Sequence, residues 1–199
     1  VKSLASLEEC GQGEAYDAII NLSGAPIMAR HWTKARKQVL IDSRVTLTDS
    51  LVKAMARAEL KPSVFISGSA IGYYGDQGDT PLDENQSGGS GFAHDLCQAW
   101  EQAARGAEAL GIRTCLLRTG LVVGRRGGFL QQMLPAFRFG LGGRIGSGAQ
   151  WMSWIHLYDE IGIIRFLLDN KKASGVFNAT APQPVTNLDF TNTLAAQLH

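Results

Sequence analysis

The chain alternates between short apolar runs that end in glycine and hydroxyl residues and longer stretches whose apolar residues recur at helical spacing. Asp17-Ala18-Ile19-Ile20-Asn21-Leu22-Ser23-Gly24 is the first such run. Val64-Phe65-Ile66-Ser67-Gly68-Ser69-Ala70 is the second, and Arg113 to Val123 the third. Runs without polar alternation suit strands buried on both faces, as in a parallel sheet. Between them, Thr33 to Ala58 reads as one long helix capped by Thr33, with Leu40, Leu47, Leu51 and Met55 on one face. Phe92 to Leu110 reads as the next, with a stripe of Leu96, Trp100, Ala103 and Ala107, closed by Gly111. Strand, helix, strand, helix, strand at this spacing predicts an α/β fold with a parallel sheet.

The second half is patterned less regularly. Phe129 to Phe139 is amphipathic, and the glycine-rich run Gly140 to Gly148 follows it. Gln150 to Leu157 reads as extended and Asp159 to Leu168 as a helix. Gly175 to Ala179 reads as a short strand, and Thr186 or Asn187 caps a last helix. Val1 to Tyr16 reads as loop: Gly11-Gln12-Gly13 has neither a preceding strand nor the third glycine of a dinucleotide fingerprint. The helical pattern runs to the last residues and the chain does not open on Met, so a piece of a longer protein is expected.

Composition narrows the function. A chain of 199 residues with 45% hydrophobic content fits one globular unit, or one and a part. The formal net charge is +1, so the basic run Arg30, His31, Lys34, Arg36 and Lys37 around Trp32 reads as a solvated helix start rather than a nucleic-acid surface. Cys10, Cys97 and Cys115 form neither a zinc spacing nor a disulfide framework, which favours a reducing, cytoplasmic setting. No metal ligand set is expected. No apolar run is long enough to span a bilayer, and no membrane partner is expected.

Candidate chemistry gathers where the apolar runs end, since open α/β sheets bind ligands at the carboxyl ends of their strands. Ser67 and Ser69 can donate and accept hydrogen bonds there, and Gly68 admits a ligand close to the backbone. Tyr73 and Tyr74 follow at once. Arg44 falls on the apolar face of its helix, where a guanidinium must snorkel out or find an anionic partner.

Taken together, these landmarks resemble the extended short-chain dehydrogenase/reductase superfamily, and within it the atypical, YfcH-type branch of NAD-dependent epimerase/dehydratase-like proteins. The matching stretches are Asn21 to Ile27, Ser67 to Gly75, Arg118 to Val122, Leu141 to His156, and Gly175 to Asn178. The resemblance implies a Rossmann-type doubly wound sheet over residues 1–125. A smaller substrate-side part over 126–199 would be interleaved with the last Rossmann elements. It implies NADP(H), or NAD(H), held by Asn21, Leu22, Ser23, Gly24, Arg44, Ser67, Gly68, Arg118, Thr119, Gly120, Leu121 and Val122. Ser69, Tyr73 and Tyr74 would be the catalytic candidates. Gly146, Gln150, Trp154 and His156 would face an unidentified small-molecule substrate.

Two departures accompany the resemblance. The opening strand and its Gly-x-x-Gly-x-x-Gly turn are not found in this sequence. The superfamily's Tyr-x-x-x-Lys is also missing: Phe92 and Leu96 stand at those positions, and neither can pass a proton. The expected activity is therefore an NADP(H)-dependent oxidoreductase or epimerase-like enzyme. The alternative is a dinucleotide-binding regulator without catalysis.

Overall fold

The computed structural model describes residues 16–124 and 128–198. Strand β1 (Ala18–Asn21) leads through a loop to helix α1 (Lys34–Ile41). A π-helical turn, Asp42–Thr46, joins α1 to α2 (Leu47–Arg57). Then come β2 (Val64–Ala70), α3 (Phe92–Arg105), β3 (Arg113–Thr119), β4 (Leu121–Val123) and α4 (Gly128–Arg138). The chain closes with β5 (Trp151–Met152), β6 (Trp154–His156), α5 (Leu157–Asp169), β7 (Gly175–Ala179), β8 (Val185–Thr186) and α6 (Asn187–Leu198).

The main sheet has the order β1-β2-β3-β7, and every pairing in it is parallel. The apolar run of β2 is buried along its length, as its lack of alternation predicted. Both faces are covered. On one, Met55 of α2 and Ala104 of α3 pack on Phe65 and Leu116. On the other, Leu167 of α5 and Ile155 of β6 pack on Val64, Ile66, Cys115 and Leu117. Each such buried Leu, Ile, Val, Phe or Met side chain contributes about 1.5–3 kcal/mol relative to exposure. Two small ribbons, parallel β4-β6 and antiparallel β5-β8, carry the second half beside the sheet, to which β7 returns. No helix among the described residues is long and apolar enough to cross a membrane.

The helix expected from Thr33 to Ala58 forms with Thr33 as its cap, accepting from the Arg36 N–H, but it is not uniform. The Leu47 N–H reaches back five residues to Asp42 O, so one extra residue is inserted. In an unbroken α-helix, positions 40 and 48 would lie about 80° apart; here both are fully buried. Thr48 therefore takes the core place that periodicity assigned to Leu47, which is only half-buried. The second helix also differs. It ends at Arg105, and a separate 3₁₀ turn, Glu108–Leu110, precedes Gly111, whose φ of 75° makes the reversal.

Candidate active site

β1 ends in a buried polar knot. Asn21 Nδ2 donates to Thr48 Oγ1 at 2.8 Å, and Trp100 Nε1 donates to the same oxygen at 3.0 Å. Asn21 Oδ1 accepts from the Ser23 N–H. These bonds tie the strand end to α2 and α3 and turn the chain outward, leaving Leu22, Ser23 and Gly24 exposed.

Arg44, in the π turn, folds onto that loop. Its Nη1 donates to Ala25 O at 3.1 Å and its guanidinium lies over the Trp100 ring, 5.3 Å from the centroid. The side chain is partnered by backbone and aromatic face rather than by a carboxylate. Burial depresses its pKa below the ordinary guanidinium value, and the neighbouring Arg36 charge adds to this. A Cβ at Gly24 would stand 2.7 Å from Arg44 Cζ and 2.8 Å from Nη2. The bare glycine thus lets the guanidinium pack against the loop backbone, and its Nε and Nη2 bond to no group among the described residues.

Across β2 and β3 a second network is closed to solvent. Arg118 is 3% exposed and Glu101 5%. Arg118 Nε and Nη2 donate to the two Glu101 oxygens at 2.8 and 2.9 Å. Ser69 Oγ donates to Glu101 Oε1 at 2.7 Å. Arg118 Nη1 donates to the Tyr74 hydroxyl at 3.0 Å, and that hydroxyl donates to Asn178 Oδ1 at 2.7 Å. Burial alone would depress Arg118, but its bonds to Glu101 and Tyr74 hold its pKa above the ordinary value. Cys97 lies beside this network, and burial with the Glu101 charge pushes its thiol up to about 11.

Tyr73 caps the network from outside. Its ring covers Arg118, with Cζ 3.5 Å from the centroid. The ring is half-buried, and its hydroxyl has no hydrogen-bond partner among the described residues. His94 Nδ1 meets the Tyr73 carbonyl at 2.7 Å and must be the donor there. The loop after Gly75 folds back over these rings. A Cβ at Gly88 would fall 2.1 Å from His94 Cε1, and one at Gly89 would fall 2.4 Å from Tyr74 O, so only glycine fits. Glu84 Oε1 accepts from the Asn178 N–H, and Asp79 Oδ1 accepts from Trp151 Nε1.

The other predicted positions divide. Ser67 and Gly68 lie in the buried part of β2, and a Cβ at Gly68 would touch the Trp100 ring at 3.0 Å. Thr119 Oγ1 donates to Glu160 Oε1 at 2.9 Å. Gly120 passes so near Ser153 O that a Cβ would come within 2.5 Å, and Leu121 and Val122 pair with β6. Gln150 Nε2 donates to Ile145 O, Trp154 Nε1 donates to Gln183 O, and His156 Nδ1 caps α5. Gly146 turns the glycine-rich loop at φ 59°. Among the described residues, none of these last four is hydrogen-bonded to Arg44, Ser69 or Tyr73. Sequence reasoning placed Trp100 only in an apolar stripe and missed Glu101, Thr48 and Glu160, polar residues within or at the edge of helix faces that turn inward.

With this geometry in view, known proteins are informative. The description of the NAD dependent epimerase/dehydratase family matches residues 1–180. The chain belongs to that family. An epimerase family protein of Mycobacterium bovis, Mb2239, is 47% identical over 175 residues, which is 88% of this chain and 58% of that protein. A chloroplastic SDR39U1 homolog of Arabidopsis thaliana is 39% identical over 180 residues, 89% of this chain and 51% of its own length. The chain thus spans little more than half the length of these relatives. The solved structure of human epimerase family protein SDR39U1 with NADPH superposes with a TM-score of 0.87 at 34% identity, over 96% of this chain and 66% of that one. A Bacillus cereus UDP-glucuronic acid 4-epimerase, in complex with UDP-glucuronic acid and NAD, shares the fold with a TM-score of 0.77 at 20% identity, over 90% of this chain and 59% of that one. The parallel α/β architecture expected from the strand and helix pattern, Rossmann-like as the resemblance implied, is the fold of these solved structures.

Proposed function

We propose that the protein binds NADP(H) across the carboxyl ends of β1, β2 and β3 and acts on a small substrate as an oxidoreductase or sugar-nucleotide-epimerase-like enzyme. The observation that carries this reading is the Arg44 guanidinium packed on Gly24 with its Nε and Nη2 left without partners among the described residues. A guanidinium with its Nε–Nη2 edge open is suited to two parallel hydrogen bonds to a phosphate, and it lies at the strand end where this architecture binds nucleotides. NADPH in the related human structure supports the same cofactor.

The bound dinucleotide would supply hydride chemistry, and the chain would bind, orient and move protons. Arg44, seated on Gly24, holds a phosphate. Ser69 is 4% exposed and has committed its proton to Glu101, so in this reading it acts by holding that carboxylate beneath Tyr73. Tyr73, with the free hydroxyl, is the group placed to exchange a proton at its phenolic oxygen. Tyr74 and Arg118 are enclosed, and in this reading they position Tyr73 and Ser69. The free, buried Cys97 and Cys115 accord with a reducing, cytoplasmic setting.

The test is titration of NADPH into the full-length protein and its Arg44→Ala and Gly24→Ala variants. Losing charge-assisted hydrogen bonds, or displacing the guanidinium with a Cβ at residue 24, should weaken binding by about 1.5–3 kcal/mol. Unchanged affinity in both variants would refute the reading. A specific observation favours the second reading, a non-catalytic dinucleotide sensor. Phe92 packs edge-on to Trp32 beneath Lys37, and Leu96 is buried, so α3 offers no replacement for the missing tyrosine and lysine. Tight NADPH binding without cofactor turnover on a panel of carbonyls and sugar nucleotides would select it.

A further inference from the structure

Residues 76–90, between the 3₁₀ turn Ile71–Tyr73 and α3, run over the site as a strap. The strap carries neither strand nor helix. Connections this long without secondary structure are uncommon in compact domains, where they serve as lids, binding loops or linkers. Gly75 at φ 66° and Gly91 at φ 90° stand at its two ends. Both angles lie in the left-handed region that glycine enters freely. Between them only Leu82, Gly88 and Gly89 are even partly covered. The strap takes its shape from its own turns. The Gly78 and Asn85 N–H groups donate to the Asp76 and Asp83 carboxylates, and the Thr80 and Gln86 N–H groups donate to Gln77 O and Asp83 O.

Four hydrogen bonds hold this unit down among the described residues. Towards its two ends, Gln77 Nε2 donates to Tyr74 O at 2.9 Å and the Gly89 N–H donates to Tyr73 O at 3.0 Å. In its middle, Asp79 and Glu84 reach the second half of the chain. Asp79 accepts from Trp151 Nε1 of β5, and Glu84 accepts from the Asn178 N–H of β7, an edge strand of the main sheet, both at 2.7 Å. A segment with little apolar burial and a few polar ties opens by itself, ahead of the core. Tyr73 lies beneath it: a Cβ on Gly88 would stand 3.1 Å from Tyr73 Cζ, the carbon that bears the hydroxyl. The residue that latches Glu84 also serves the buried network, since Asn178 Oδ1 accepts from the Tyr74 hydroxyl.

We propose that residues 76–90 form a lid that turns on Gly75 and Gly91, is latched by Asp79 and Glu84, and governs access to Tyr73. What the lid gates rests on the reading of Tyr73 as the proton-exchanging group; that it opens does not. Closed, it shields the end of Tyr73 that bears the hydroxyl and fixes Asn178 beside Tyr74. Open, it admits a small molecule to that hydroxyl.

The experiment is nitration by tetranitromethane of full-length wild type, Asp79→Ala, Glu84→Ala and the double variant. The nitrated tyrosines are mapped by peptide mass spectrometry, with amide hydrogen exchange and a thermal melt of each protein. Neither cofactor nor turnover enters the readout, so a protein without catalysis tests the lid equally well. Tyr158, 75% exposed, supplies the reference rate. Releasing either latch should raise strap exchange and Tyr73 nitration about tenfold, as expected for loss of a charge-assisted bond. Exchange in β2 and α3, and nitration of Tyr158, should stay at wild-type rates. Should an alanine variant not fold, Glu84→Gln and Asp79→Asn, which keep an acceptor without its charge, give the same comparison with a smaller rise. Unchanged Tyr73 nitration in every variant would overturn the proposal, leaving the strap a static cover. Faster strap exchange without faster Tyr73 nitration would overturn it too, because the strap would then open without governing access. So would exchange in β2 and α3 rising in step with the strap, since the segment would then open only with the whole domain.

Discussion

Replacing Glu101 by alanine removes a carboxylate that accepts three hydrogen bonds, two from Arg118 and one from Ser69. Arg118 cannot follow its lost charge into water, because it is 3% exposed and roofed by Tyr73. Removing one partner of such a buried pair costs about 3–5 kcal/mol, since the other is left buried and uncompensated. For a chain of this size that corresponds to a fall in Tm of roughly 6–20 °C. Urea unfolding followed by tryptophan emission gives the free energy, and the Glu101→Leu/Arg118→Leu double variant completes the test. Replacing both members by apolar residues should restore much of the loss, because the pair's own desolvation cost also disappears. A cost below about 1 kcal/mol for Glu101→Ala, the range of solvated pairs, would refute the burial reasoning. So would a double variant no more stable than the single one.

Thr48→Val would leave the Asn21 amide and the Trp100 indole N–H as buried donors without an acceptor; a loss of about 2–4 kcal/mol by urea unfolding is expected, whereas Thr48→Ser should change little. Glu160 is 7% exposed, its Oε2 has no hydrogen-bond partner, and burial raises its carboxyl above the ordinary value, opposed only in part by Thr119. A raised acid holds its proton more tightly folded than unfolded, so wild type should lose stability as pH rises from the unfolded pKa, about 4.3, through the higher folded value. Glu160→Gln has nothing to titrate there and should gain on wild type in melts at pH 7 relative to pH 4; a difference that does not vary with pH would contradict this.

Much of the frame was legible because burial on both faces leaves an unmistakable pattern. The unbroken apolar run Val64 to Ile66 could only be an inner strand, and Thr33 stands where a helix cap must stand. The π turn was not legible, because it is set by tertiary contacts of Asn21 and Trp100 with Thr48 rather than by local propensity. Arg44 was legible as a misplaced charge, but its seat on Gly24 and Trp100 was not. Arg118 illustrates the harder case. A guanidinium in an inner strand signals a partner, and the sequence does not say whether that partner is ligand or protein; within this chain it is Glu101, seventeen residues earlier. Glu101 follows Trp100 at the edge of an apolar stripe, where a carboxylate passes for a solvated one.

The central claim, that Arg44 and Gly24 seat a dinucleotide phosphate, is tested most directly by a crystal structure of the full-length protein grown with NADPH. The account predicts cofactor phosphate oxygens about 2.7–2.9 Å from Arg44 Nε and Nη2, the span of charge-assisted bonds. Cofactor bound with all its phosphates away from Arg44, and that guanidinium still turned only onto Ala25 O and Trp100, would contradict it.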